Sequence, residues 1–237
     1  MAHSGHIFQI KDDESCSRTI ALMKKKNAFV IQARMGSKRL PGKVLLPITK
    51  YTLIEFLINR IRNFNLNLNI IVATSDKSID DIIVSHCKKI GVSCFAGSEE
   101  NVLKRYQDVA VLYNIDNIIR LTADNPYPSK EIICGCLNIH LNNNYDLTTT
   151  RKIEGLDVIR YVPKGYSVDI LKCKSLLNFN SEDVASFSKE HVIPEFYNSN
   201  YSVGYYKNEN LKVEPLSIDT LEDYIRVQNY IENNAIY

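Results

Sequence analysis

No stretch of the 237-residue chain approaches the roughly 20 consecutive apolar residues that a membrane-crossing helix needs. An excess of charge is lacking too. Lys and Arg number 29 against 27 Asp and Glu, a net charge of +2, so there is no basic surplus of the kind a general nucleic-acid binder concentrates on its surface. The six cysteines (Cys16, Cys87, Cys94, Cys134, Cys136, Cys173) form no framework. Cys134 and Cys136 stand two apart on an expected helix and so point to different faces, and no Cys/His set has zinc-finger spacing. All six are expected to be reduced, structural thiols in a reducing compartment. Residues 1–26 carry charges where a secretory signal needs its apolar centre, and read as a flexible leader to a cytoplasmic protein. There is no internal repeat, no Walker A loop and no GxGxxG.

An apolar content of 45% and a charged content of 24% are ordinary for a globular protein, and the length suits one core with a small excursion. Short β-branched runs alternate with amphipathic stretches. "NAFVIQ" (27–32) reads as a buried strand, "TLIEFLINRIRNF" (52–64) as a helix, and "NIIVATSD" (69–76) as the next strand. Ser78 with Asp81 looks like a capping box opening a helix that Gly91 ends. "VSCF" (92–95), the helix beginning "VLKRYQDV", the strand "NIIRLTAD" (117–124), a helix from Lys130 and the strand "YDLTTT" (145–150) follow. Such alternation argues for a parallel sheet joined by right-handed crossovers. After residue 150 it breaks. Residues 155–171 read as a hairpin turning at Pro163 and Gly165, residues 172–198 as short helices, 211–219 as a returning strand and 220–234 as a terminal helix.

Ligands of open α/β sheets bind beyond the carboxyl ends of the strands, which draws attention to "IQARMGSKRLPGK" (31–43), Asp76, Asp124 and Asp219. In the basic loop Gly36 permits close backbone approach to an anion, Ser37 adds a donor, and Arg39 and Lys43 bring a planar fork and a point charge. By composition alone, a phosphate cradle and a solvated basic turn are equally good readings. Asp124 suits a carboxylate for Mg²⁺ on nucleotide phosphates. Asp219 fits that role or a cap on the terminal helix, and Asp76 fits a turn or cap at the edge of the site. His191 beside Glu190 is more often a structural pair than a catalytic one.

These stretches, together with "GSEENVLKRY", "IIRLTADNPY", "KEHVIPEFY" and "IDTLEDYIRV" in the same order, resemble the cytidylyltransferases that make CMP-activated sugars, such as CMP-sialic acid and CMP-Kdo synthetases. The resemblance is nearest to the branch named after spore coat polysaccharide biosynthesis protein F and covers about residues 27–233. It implies an α/β fold, a Rossmann-like three-layer sandwich with a mostly parallel sheet and a β-hairpin/helical excursion, of the nucleotide-diphospho-sugar transferase kind. Residues 27–237 form one such domain, with 150–200 an acceptor-binding and dimerisation excursion. It further implies transfer of CMP from CTP to a small anionic sugar or sugar-like acceptor for surface polysaccharide biosynthesis, with release of pyrophosphate. Arg39 and Lys43 are the implied catalytic pair. Gln32, Ala33, Arg34, Met35, Gly36, Ser37, Lys38, Arg39, Lys43, Asp76 and Ser98 are the implied nucleotide site, with backbone groups around Gln32 and Ala33 reading the cytosine edge. Asp124 and Asp219 are the implied Mg²⁺ ligands, and Asp169, Glu190 and His191 the implied acceptor site. The implied assembly is a homodimer, without nucleic-acid or membrane partners. "PKGYSVDIL" departs from the branch's P-x-G-L-D-V-E pattern, with Ser167 at its aspartate and Asp169 at its glutamate, which leaves the acceptor open. The competing readings are a GTP- or UTP-using relative, whose "LAGGxGxR" is here "QARMGSKR", and a non-catalytic binding or assembly subunit.

Overall fold

The computed structural model describes residues 26–154, 157–197, 200–208 and 211–234. The expected leader lies, except for Lys26, outside them. The central strands are β1 (Asn27–Gln32), β4 (Asn69–Ser75), β5 (Ser93–Gly97) and β6 (Asn117–Thr122). Two minimal strands, β2 (Pro47–Ile48) and β3 (Tyr51–Thr52), pair with each other between β1 and β4. The main sheet is completed by β7 (Leu147–Thr149), β10 (Asp169–Lys172) and β11 (Val203–Tyr205). Its order is β11-β7-β10-β6-β1-β4-β5, parallel throughout except for β10, which runs antiparallel to β6 and β7.

Period-two alternation along β1 divides the core into two layers. Phe29 and Ile31 pack with Val72, Ile119 and Ile170 against helices α1 (Leu53–Arg62), α2 (Asp81–Lys89), α4 (Lys130–Asn143) and α7 (Leu221–Asn233). Ala28 and Val30 pack with Ile71, Ala73 and Leu171 against α3 (Val102–Leu112), α5 (Cys173–Leu176) and the segment after α6 (Ser186–His191). A strand covered on both faces is mostly apolar, which is why Ala28–Ile31 reads as an unbroken buried run between Asn27 and Gln32. The result is the expected three-layer sandwich. Capping boxes start α1 (Thr52 with Glu55) and α7 (Thr220 with Asp223), so Asp219 is not the side chain that caps α7.

Several elements differ from the sequence reading. The hairpin is β8 (Arg151–Glu154) against β9 (Asp157–Arg160), and Pro163 and Gly165 lie in the connection that follows it. Gly165 has φ +103°, and a Cβ there would stand 2.7 Å from the Leu216 carbonyl carbon, so the 211–219 segment crosses it with no room for a side chain. Asp169–Lys172 belongs to the central sheet rather than to the excursion. Residues 211–219 enter no ladder. Pro215 lacks an N–H, and the Leu216 and Ile218 N–H groups donate to single loop carbonyls, those of Lys164 (3.1 Å) and Asp124 (2.8 Å). The segment ahead of α2 begins as a 3₁₀ turn (Ser78–Asp80) without the expected Ser78 cap. Cys87, Cys94, Cys136 and Cys173 are free thiols, and Cys16 lies outside the described residues.

Candidate active site

The strand order reverses at β1, since β4 and β5 follow on one side and β6 lies on the other. That leaves a crevice at its carboxyl end. The basic loop leaves β1 into this crevice. Its backbone is drawn together at one residue: the Met35 carbonyl accepts from the N–H groups of Ser37 and Gly42, both at 2.9 Å, while the Met35 N–H donates to Asp80 at 2.7 Å. Gly42 sits at φ +71° and leads into a 3₁₀ turn (Lys43–Leu45). Among the described residues the N–H groups of Gly36, Lys38, Arg39 and Leu40 have no hydrogen-bond acceptor.

That turn sends the Lys43 side chain inward to a position 7% exposed. Its ammonium donates to the Ile218 carbonyl (2.6 Å), Asp124 Oδ2 (3.0 Å) and Asp219 Oδ1 (3.3 Å). Asp219 also pairs with Arg39 (2.9 Å) and Lys164 (2.9 Å). Partial burial disfavours the Asp219 charge, but the Lys164 hydrogen bond and the charges of Lys43 and Lys164 prevail and hold its pKa below the ordinary value. Asp124 is held by the Thr122 hydroxyl (2.6 Å), and its backbone carbonyl ties it to Ile218. Four residues singled out from sequence, Arg39, Lys43, Asp124 and Asp219, therefore meet at one point. Sequence reasoning missed Lys164, whose only signal was its place beside Gly165. Three cations against two carboxylates leave the cluster at +1 even before a metal is added. Such a centre is complementary to a polyphosphate.

Other expected residues fall differently. The Gln32 carbonyl accepts from the Ala123 N–H (2.9 Å), and the Ala33 N–H donates to the Ala73 carbonyl (3.2 Å). These two backbone groups are taken up by the sheet. The Gln32 side chain accepts from Arg120 (3.0 Å). Asp76 is exposed at the rim, its N–H bonded to the Gly97 carbonyl (2.8 Å), and the Ser98 hydroxyl accepts from the Asn101 N–H (3.0 Å) ahead of α3. Behind this rim lies a residue not foreseen. Arg105 is 1% exposed, and its Nε and Nη1 have no partner among the described residues. Burial lowers its pKa, and Arg34, Asp80 and Asp76 are among the charges that act on it.

On the acceptor side, Asp169 is 2% exposed and its carboxylate is fully engaged by Thr149 (2.7 Å), Arg120 (2.8 Å) and Arg151 (2.7 Å). It holds the Arg120 and Arg151 guanidiniums in place within the region expected to receive the acceptor. Glu190 reaches Arg34 of the basic loop at 4.0 Å. His191 is exposed, and partial desolvation with the Arg120 and Arg151 charges lowers its pKa against the opposing Glu190. Arg160 lies opposite Arg151 across the hairpin and donates to Ser167 Oγ (3.3 Å). Among the described residues it has no ion pair, and burial together with Arg151 lowers its pKa.

The family model described as Cytidylyltransferase matches residues 28–237. Spore coat polysaccharide biosynthesis protein SpsF of Bacillus subtilis (strain 168) is 35% identical over 202 residues, 83% of this chain and 82% of SpsF. A 3-deoxy-manno-octulosonate cytidylyltransferase of Chlamydia trachomatis serovar L2 is 25% identical over 232 residues, 92% of this chain and 86% of the relative. The solved structure of a cytidylyltransferase from Leptospira borgpetersenii superposes with a TM-score of 0.75 at 30% identity, covering 89% of this chain and 95% of that one. The chain belongs to the cytidylyltransferase family, near SpsF and the CMP-sugar synthetases, and is a CTP-dependent nucleotidyltransferase.

Proposed function

We propose that the enzyme transfers CMP from CTP to a small anionic sugar or sugar-like acceptor, releasing pyrophosphate, in the assembly of a surface polysaccharide. The observation that carries this reading is the convergence of Arg39, Lys43 and Lys164 on Asp124 and Asp219 at the carboxyl edge of the sheet. In the reaction, an acceptor oxygen forms a bond to the α-phosphorus as the bond from that phosphorus to the α–β bridging oxygen breaks. A hydroxyl acceptor gives up its proton to solvent, and a phosphate acceptor has none to lose. Positioning and charge neutralisation are the main demands of such a transfer, and the chain supplies them without a covalent nucleophile. Arg39 and Lys43 face the growing charge of the leaving pyrophosphate, and the free N–H groups between Gly36 and Leu40 are oriented donors for phosphate oxygens.

Asp124 and Asp219 fit a Mg²⁺ site. Both reach the same ammonium, and Mg²⁺ in nucleotide enzymes is held through one or two carboxylates, with phosphate oxygens and water completing the shell. Bound there, Mg²⁺ supplies further neutralisation of the triphosphate.

Support for an anionic acceptor comes from the excursion. Like charges directly opposite each other on paired strands are unfavourable, and Asp169 forms an ion pair with Arg151 but reaches Arg160 only through its more distant charge. An acceptor carboxylate or phosphate relieves that imbalance. The exposed Val158 and Ile159 on β9 support the hairpin as a dimer contact, which light scattering tests by giving twice the chain mass. Pyrophosphate release from CTP and Mg²⁺ across 2-keto-3-deoxy sugar acids and phosphorylated small acids and polyols tests the acceptor class. Arg160→Ala should then raise KM for the productive acceptor and leave KM for CTP unchanged. No release with any anionic acceptor, alongside release with a neutral sugar, contradicts the proposal.

A further inference from the structure

The start of α2 is where the structure departed from the expected cap, and the departure has a chemical reason. Asp80, 1% exposed, does not turn its carboxylate onto its own helix. Oδ2 accepts from the Ser75 N–H (3.3 Å) and from the Ser75 hydroxyl, which anchors it to the end of β4. Oδ1 accepts from the Met35 N–H at 2.7 Å, 45 residues away in sequence. No ion pair to Asp80 occurs among the described residues, so both oxygens serve hydrogen bonds. Met35 is the same residue whose carbonyl collects the Ser37 and Gly42 N–H groups. A buried carboxylate thus grips the hub of the basic loop from the end of β4, while the N–H groups of Gly36, Lys38, Arg39 and Leu40 have no acceptor among the described residues.

We infer that Asp80 is a positioning residue for the nucleotide: by holding the Met35 N–H it presets the loop in the shape that receives the triphosphate. This rests on the reading of residues 34–43 as the triphosphate loop. A negative charge beneath a phosphate site opposes anion binding by Coulomb's law, although it also favours the charge of buried Arg105; what it offers the nucleotide is the geometry it gives the loop. A loop already held in its binding shape avoids the ordering cost that a free loop meets on association. Hydrogen bonds to a charged acceptor are also the stronger kind, and burial keeps water from competing for this one.

The test compares Asp80→Ala and Asp80→Asn with the wild type in steady-state kinetics, and follows amide hydrogen exchange of the apo enzymes. Asp80→Ala should raise KM for CTP by about tenfold or more, the loss associated with one charge-assisted hydrogen bond, while KM for the acceptor stays within about twofold. Exchange across residues 33–43 should quicken in the same variant. Asp80→Asn keeps an oxygen for the Met35 N–H, and should bring KM for CTP back to within about threefold of wild type. An Asp80→Ala enzyme with unchanged KM for CTP overturns the inference, as does one in which both KM values rise together and Asn gives no rescue. If Asp80→Ala does not fold, exchange of the Met35 amide in the apo wild type decides. Protection well beyond that of Lys38 supports the inference, and equal exchange overturns it. Failure of the underlying reading looks different: the wild type itself then gains no thermal stability from CTP with Mg²⁺, and the inference falls with it.

Discussion

Replacing Lys43 with methionine removes one charge from the centre of the site and keeps most of the side chain's volume. The ammonium donates three hydrogen bonds, to the Ile218 carbonyl and to Asp124 and Asp219. Without it, Asp219 still has Arg39 and Lys164, and Asp124 still has the Thr122 hydroxyl. Breaking a buried ion pair typically costs 3–5 kcal/mol, and the Asp124 side chain is 30% exposed, so water recovers part of its share. The net loss is about 3 kcal/mol, a fall in melting temperature of roughly 6–12 °C for a chain of this size. Two carboxylates released from a shared ammonium should bind Mg²⁺ more readily, so Mg²⁺ alone should recover more of the melting temperature in the variant than in the wild type. Turnover should fall by about 10²–10³, the usual cost of deleting one preorganised group that stabilises transition-state charge. Scanning calorimetry with and without Mg²⁺, paired with pyrophosphate release, reads all three. Turnover within threefold of wild type refutes the reasoning even if the melting temperature falls.

Two further outcomes follow from the buried charges. Burial opposes the Asp169 charge, but the charges of Arg151 and Arg120 and the hydrogen bonds from Thr149 and Arg120 outweigh it and hold the folded-state pKa below the ordinary value. Its stabilising contribution is therefore complete above the unfolded pKa of about 4 and is lost as pH falls through the lower folded value. Asp169→Asn should destabilise the protein by about 3–5 kcal/mol at pH 7 and flatten the loss of stability from pH 5 to 3, as read by urea titrations. Equal acid sensitivity in both proteins contradicts this assignment. Arg105→Met removes a guanidinium whose Nε and Nη1 are unpaired among the described residues, so stability should hold within about 1 kcal/mol while CTP affinity falls about tenfold. Unchanged CTP affinity in calorimetric titration excludes Arg105 from the nucleotide site.

The central strands were legible because burial on both faces favours short apolar, β-branched runs, as 27–32, 69–76 and 117–124 show. Strand ends announced the carboxyl edge, and Arg39, Lys43, Asp124 and Asp219 were readable as a group from the order of their motifs. What was not legible depends on side chains reaching across the chain. The distance from Lys164 to Asp219 is set by the passage of residues 211–219 over Gly165, which no local pattern encodes. Ser78 and Asp81 have capping-box spacing, but Asp80 between them is drawn to Met35 and Ser75, and the helix starts through a 3₁₀ turn instead. Asp169 in sequence is one more acidic residue on an excursion. Only its register opposite Arg120 on β6 and Thr149 on β7 shows it to be an internal counter-ion. Residues 211–219 alternate like a strand, yet Pro215 and two isolated loop partners give them no ladder.

The central claim is that the Asp124–Asp219 pair, with its cations, is the Mg²⁺–CTP site. Calorimetric titration of CTP into wild type, Asp124→Asn and Asp219→Asn, each with and without Mg²⁺, tests it most directly. The account predicts Mg²⁺-enhanced binding of CTP in the wild type, with UTP and GTP weaker, and loss of the Mg²⁺ enhancement in both variants. Undiminished Mg²⁺-dependent CTP binding in the two variants, or tighter binding of GTP than of CTP by the wild type, contradicts it.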